Sequence, residues 1–342
     1  MTKIYFGTVV RKASFKKGGK LICLNWDNKE IEIEKPIIPD NPNLENLPNP
    51  RKTGQGCRGI TFYGDKIIAS NYHTLQFYDK GLRPKGSITH NLLADIHEIY
   101  RNGKNKLYVT STAIDAIMKF DIERGKVEQE YWPREMPVFQ KALNLTPLLI
   151  DKTVDNRSKF IGTVPYKHAD HLHLNCAVEW KGEVFALFHS FGVLANLSKE
   201  EIVLKDLELK GAHNLIITDE GVAILNDTRR CSVRFYDINE KKFIKKISLL
   251  EFPWVRYLKN IALVTTLFDI PQKIFKKLFR FELLKADPLF VRGLDINENL
   301  LFVGMSPASI VCIDWRKDKL VDAYCYSRNV RNCIHGLRVF AE

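Results

Sequence analysis

The chain has 342 residues, 45% hydrophobic and 27% charged, with a formal net charge of +12. Such apolar content supports a substantial core and excludes a disordered chain, while no apolar run approaches the roughly eighteen residues of a membrane-spanning helix. Seven scattered cysteines without a C-x-x-C pair exclude a zinc ribbon and a disulfide framework, and the expectation is reduced thiols in a cytoplasmic protein.

The first predicted elements are two hydrophobic strands, "KIYFGTVV" and "GKLICLNWD", ending near Asp27. A Pro- and Asn-rich insertion, 37–56, follows them. Then comes a pattern that recurs along the chain, at 57–79, 96–121, 212–237 and 291–314. Each copy opens with a polar residue and a short apolar strand. A turn of Gly, Asn, Asp or Glu leads to a second hydrophobic strand, and a third strand ends on Asp79, Asp121, Asp237 or Asp314. Arg58 and His97 lie 39 residues apart, and His213 and Arg292 lie 79 apart, which is two steps of about 40 residues.

Between the copies, 132–172 is a second insertion whose Pro-bounded middle predicts one short helix and whose end, "YKHADHLHLN", carries His168, His171 and His173. Two weaker copies fit the same grid, "NCAVEWKGEVFALF" at 175–188 and "FPWVRYLKNIALVTTL" with "LFRFELL" at 252–267 and 278–284. Within the latter, 270–285 alternates basic and apolar residues, so a membrane-surface helix making peripheral contact is the alternative to a strand there. The last segment, "IHGLRVF" at 334–340, is an opening strand without a blade behind it, complementary to the N-terminal strands.

These units predict one all-β domain over 1–342, a β-propeller of about seven blades whose ring is closed by N- and C-terminal strands sharing one blade. Six blades result if 252–290 is an insertion. The recurring copies lack a WD dipeptide and carry φ-x-F-D endings, and in this they resemble the non-WD propellers, including the NHL-repeat, strictosidine-synthase-like and gluconolactonase-like groups. "HLNCAVEW" is similar to the HLNG segment of uncharacterised bacterial propellers.

A propeller's inner strands run along its central channel, so their first residues should converge at one mouth. Here these are Arg58, His97, Asn175, His213, Arg292 and His335, with Trp254 or Arg256 at the seventh position. Both insertions, 37–56 and 132–172, would lie over this face and bring His173 to the mouth, leaving His168 on the loop surface.

Three uses fit such a ring. His97, His213 and His335, with His173, would make an imidazole shell for a divalent metal such as Fe, Zn or Ca, an arrangement that resembles the four-histidine site of carotenoid-oxygenase propellers. Arg58 and Arg292 place positive charge beside such a metal and oppose it. Alternatively the two guanidiniums fork onto a small anionic molecule with Asn175 and His173 assisting, and His97, His213 and His335 act as acid–base groups in a lyase, hydrolase or transferase. That residue set is similar to the funnels of arylsulfate sulfotransferases and streptogramin lyases. The third use is ligand or protein binding without turnover. A structural reading stands beside all three, in which each histidine simply bonds a neighbouring blade.

The lysines are dispersed and neither an Arg-rich tail nor a zinc finger is present, which argues against nucleic acid as the partner of the positive charge. No phosphate-cradling glycine loop is found, so no nucleotide cofactor is expected.

Overall fold

The computed structural model describes residues 1–38, 54–161, 171–268 and 289–341, and it is an all-β propeller of six blades. Five blades are four-stranded antiparallel sheets, and blade 1 adds a short fifth strand to the same four-stranded path. Blade 1 joins the two chain ends: Asn332–Ala341 is its inner strand, followed outward by Thr2–Arg11, Lys20–Asn25 and Glu30–Pro36. The short strand Gly54–Gly56 also pairs with Thr2–Arg11. The inner strands of blades 2 to 6 are Ile60–Tyr63, Ile96–Arg101, Leu174–Trp180, His213–Ile217 and Phe290–Asn297.

The recurring third-strand ending has a local cause. The residues at this position are Asn25, Asp79, Asp121, Asn196, Asp237 and Asp314, one per blade, and each side-chain oxygen accepts a backbone N–H from the turn that follows. These are Asx-type turns, in which a short polar side chain replaces a missing backbone partner and sets the hairpin to the outermost strand. Asn25, rather than Asp27, fills the position in blade 1.

Apolar residues are distributed as wedges between neighbouring blades rather than as one central core. Phe77, Ile99 and Met118 lie in the wedge between blades 2 and 3. Tyr108, Phe188 and Ala195 fill the next. Phe6, Ile310 and Leu337 join blade 6 to blade 1, so the sequence of wedges closes on itself. The axis is left to polar groups.

The predicted strands at 252–267 are not there. Pro253–Phe268 is an α-helix with Pro at its first position; Val255 and Leu258 pack into the blade 5–blade 6 wedge, and Ala262 is buried as well. Spacings of three and four residues put those side chains on one helical face, a period that a pleated strand cannot use. The slot between His213 and Arg292 therefore holds one blade and an insertion, and Trp254 and Arg256 are helical residues outside the ring of inner strands. The strand or membrane-surface helix expected within 270–285 lies outside the described residues. Of the two insertions, 132–172 contains the expected short helix, Pro137–Leu143, whereas most of 37–56 is outside the described residues.

Candidate channel site

At one mouth of the channel the inner strands depart from regular pairing. Register shifts fall at the start of those in blades 3, 4, 5 and 6, and in the corresponding part of blade 1. A bulge inserts a residue and re-aims the side chains beside it. His97, Asn175, Asn214, Arg292 and His335 lie in these irregular stretches. Four non-glycine residues around the mouth, Asp95, Asp115, His173 and Asn214, have left-handed φ between 51° and 58°. This conformation is costly for residues with a Cβ and is retained where surrounding bonds impose it.

The bulges bring the histidines together. The His97 ring centroid lies 4.9 Å from that of His173, 5.2 Å from His335 and 6.0 Å from His213. His213 and His335 are 6.2 Å apart. A fifth imidazole, His189, completes the cluster at 4.6 Å from His173 and 4.9 Å from His213. His189 was not among the sequence candidates because it follows the second strand of blade 4, Glu183–Phe188. Second strands end at the same mouth where inner strands begin, as the pairing of Leu174 with Phe188 requires, and a polar residue just after "FALF" was the readable signal.

One side of several ring residues is structural. His335 Nδ1 lies 3.1 Å from the Arg58 carbonyl, and Asn175 Nδ2 donates to the Ala212 carbonyl at 2.9 Å, each bond stitching adjacent blades. The approach at His335 is tight: a Cβ on Gly336 would lie 2.4 Å from that same Arg58 oxygen. His213 Nδ1 faces the Gly211 carbonyl at 3.0 Å and Thr228 Oγ1 at 2.8 Å.

The other side is open. His97 Nδ1, His189 Nδ1, His213 Nε2, His335 Nε2, Asn175 Oδ1 and Arg292 Nε are all enclosed and have no hydrogen-bond partner among the described residues. Burial drives the imidazoles of His97, His173, His213 and His335 well below the usual histidine range, with the Arg58 charge pushing His97 and the Arg292 and Arg58 charges pushing His335 the same way. His189 is lowered to about 3, again chiefly by burial and then by Arg292. All five are neutral at pH 7.

The two arginines differ. Arg58 is paired through Nη1 with the buried Asp95 carboxylate and also donates to the Ile96 carbonyl at 3.2 Å, so its charge is compensated within the fold. Arg292 has no carboxylate within ion-pair distance among the described residues. Its pKa falls to about 10 because of burial, which still leaves it cationic at neutral pH.

His173 reaches the cluster through a clamp. Asp115 accepts the backbone N–H groups of Leu172 and His173, both at 2.9 Å, and lies 3.3 Å from His171 Nε2. His171 thus anchors the end of the second insertion. His168 is outside the described residues.

A carboxyl not anticipated from the sequence sits just inside the ring. Glu98 Oε1 accepts Asn214 Nδ2 at 2.6 Å and lies 3.8 Å from His335 Nδ1. Burial raises it to about 8, against the opposing pull of Arg338. Beyond it, toward the far end of the inner strands, a cavity of about 150 Å³ is lined by Tyr100, Glu179, Asp295 and Arg338 among others. Among the described residues no group of three or more His, Cys, Asp or Glu side chains is arranged to hold a metal ion.

No family model and no curated protein matches the chain. Among solved structures it is similar to a protein of unknown function from Bacteroides caccae, with 11% identity, a TM-score of 0.59 and coverage of 100% of this chain and 99% of that one. It is likewise similar to a chain of a nidogen/laminin complex, with 11% identity, a TM-score of 0.56 and coverage of 99% and 98%. At such identity the likeness concerns the fold alone: the chain is a β-propeller.

Proposed function

We propose that the channel mouth binds a small anionic molecule and acts on it, with histidine acid–base chemistry in the role of catalyst. The observation that carries this reading is Arg292, a largely enclosed guanidinium without a carboxylate partner among the described residues, set among neutral imidazoles whose outward nitrogens are also unpartnered. A largely enclosed cation without a carboxylate partner is costly, and an anion seated against it relieves that cost. The same anion raises the depressed imidazole pKa values, because a negative charge nearby favours the protonated ring. His213 and His335 then become better bases when ligand is present than when it is absent. Asn175 and His173 line the same site, while Arg58 supports it mainly by organising Asp95 and the blade 2–blade 3 contact.

A divalent metal at His97, His213 and His335 is the competing occupant, and Arg292 opposes it electrostatically. The relationship to NHL-like non-WD propellers is part of this proposal and is supported by the Asx-turn endings. The seven unpaired cysteines support a reducing, cytoplasmic setting.

The test is anion binding to wild type and to Arg292→Gln at constant ionic strength, followed by thermal unfolding. An anion at one hundred times its Kd should stabilise the wild type by about 2.7 kcal/mol and the variant much less. Equal stabilisation of both proteins would remove the site from the channel, and binding without turnover would make the propeller a receptor rather than an enzyme.

A further inference from the structure

The hydrogen bonds behind His213 and His335 fix which nitrogen of each ring faces the ligand. The Gly211 carbonyl can only accept. Thr228 Oγ1 donates its proton to the Val291 carbonyl at 2.8 Å, so toward His213 it also accepts. Nδ1 of a neutral His213 must therefore carry the hydrogen. His335 Nδ1 faces the Arg58 carbonyl, which again only accepts, so the same tautomer follows. In both residues Nε2 is a bare lone pair, enclosed and without a partner among the described residues.

Two lone pairs do not attract the oxygens of a fully deprotonated anion. They call for hydrogen-bond donors, and Arg292 beside them calls for negative charge. With ring centroids 6.2 Å apart, both can reach one small ligand. No hydrogen bond fixes the tautomer of His97 or His189 among the described residues, so these rings can turn an N–H toward anionic oxygens. We propose that the ligand is a hydroxyl-bearing anion, negative toward Arg292 and donating O–H groups to Nε2 of His213 and His335. This deepens the anion reading and rests on it.

Phosphate and sulfate provide the probe, because they share shape and size while only phosphate retains O–H groups at pH 7. Calorimetric titration of the full chain should show phosphate binding at least tenfold tighter than sulfate, since an unsatisfied buried acceptor is penalised heavily. In His213→Phe and His335→Phe the preference should shrink to about twofold, with Arg292-dependent anion binding retained. A second measurement needs no variant: histidine ¹⁵N spectra of the wild type should show both rings protonated at Nδ1.

Sulfate binding as tightly as phosphate, still abolished by Arg292→Gln, would overturn the hydroxyl requirement and leave the anion site standing. Failure of both anions to bind the wild type would overturn the anion site itself. A divalent cation bound stoichiometrically by wild type and lost from both histidine variants would assign the lone pairs to metal and overturn the inference, as would Nε2-protonated rings in the spectra.

Discussion

His213, His335 and Asn175 each bond the scaffold at one end and leave the other unpartnered among the described residues, and the burial of the channel imidazoles has consequences for stability. The imidazoles of His97, His173, His189, His213 and His335 have folded pKa values below that of an unfolded histidine. Between the two values the unfolded chain takes up protons that the native protein does not, so native stability is unaffected above about pH 6.5 and falls as pH drops below it. Each such group contributes a slope of up to about 1.4 kcal/mol per pH unit in that window. Glu98 acts in the opposite direction. Its folded pKa of about 8 lies above the ordinary 4.5, so the native state holds a proton that the unfolded chain releases, and stability declines as pH rises from about 4.5 to 8. Asp115 and Asp295, also raised by burial, behave in the same way at the acid end. Five histidines outweigh the carboxyls between pH 6.5 and 4.5. Thermal unfolding across pH should show a steep acid loss below pH 6.5 and a shallow decline toward pH 8, and Glu98→Gln should flatten the shallow arm and make the acid loss somewhat steeper. An unchanged alkaline arm in that variant would mean that Glu98 is ionised in the native protein.

At the scale of elements, the 253–268 segment decides the blade count, and its register can be checked. A helix that buries Val255 and Leu258 while leaving Tyr257 59% exposed predicts a sharp contrast between neighbours. Leu258→Ala should cost about 2–4 kcal/mol, through lost burial and the cavity left behind, whereas Tyr257→Ala should stay within about 0.5 kcal/mol. On a strand, 255 and 257 would share a face and 258 would point the other way, so comparable losses in Val255→Ala and Tyr257→Ala would contradict the helix. The same segment shows where sequence reasoning reached its limit. Blades whose third strands end in Asp were legible because one residue type performs one local task, the Asx turn, in every copy. The 252–267 segment matched the grid by length and apolar content alone, and a stretch of β-branched and aromatic residues is compatible with either period until a partner surface selects one. For the site, the 40-residue spacing pointed to Arg58, His97, Asn175, His213, Arg292 and His335; only His213 is the first residue of its inner strand, and the others lie within three residues of a strand start, near enough for strand order to bring them to one mouth. Pairing was not legible: nothing in the sequence binds Asp95 to Arg58 across 37 residues. Nor did it show that bulges would bring Glu98 beside Asn214, 116 residues away. His189 is not legible on that spacing because it follows a second strand, Glu183–Phe188, and does not lie near the start of an inner one.

For the whole molecule, the site exists only if the ring closes. His335 is supplied by the last strand and bonds to blade 2, while Thr2 pairs with Ala341 in antiparallel register. Closure in blade 1 removes the open inner edge that Thr2–Arg11 would otherwise present, and it covers the Phe6 and Leu337 wedge. A chain truncated before Asn332 should therefore aggregate or unfold at a lower temperature and lose the channel site. Low stability alone would also follow from losing any eleven residues, so the more informative molecule keeps every residue and moves the opening. The Thr2 and Ala341 backbones are adjacent, so a short linker can join the two strands there, and new ends can be placed in the exposed Asn239–Glu240 turn between the outer strands of blade 5. That permutant retains all six wedges and closes within blade 5 instead of blade 1. It should show the far-UV circular dichroism of the parent, a Tm within a few degrees of it, and the same Arg292-dependent anion binding, because exposed turns tolerate new termini when the pairing around them is kept. Loss of binding in a permutant that retains fold and Tm would mean that the site depends on the order in which the strands are joined and not on the closed ring itself.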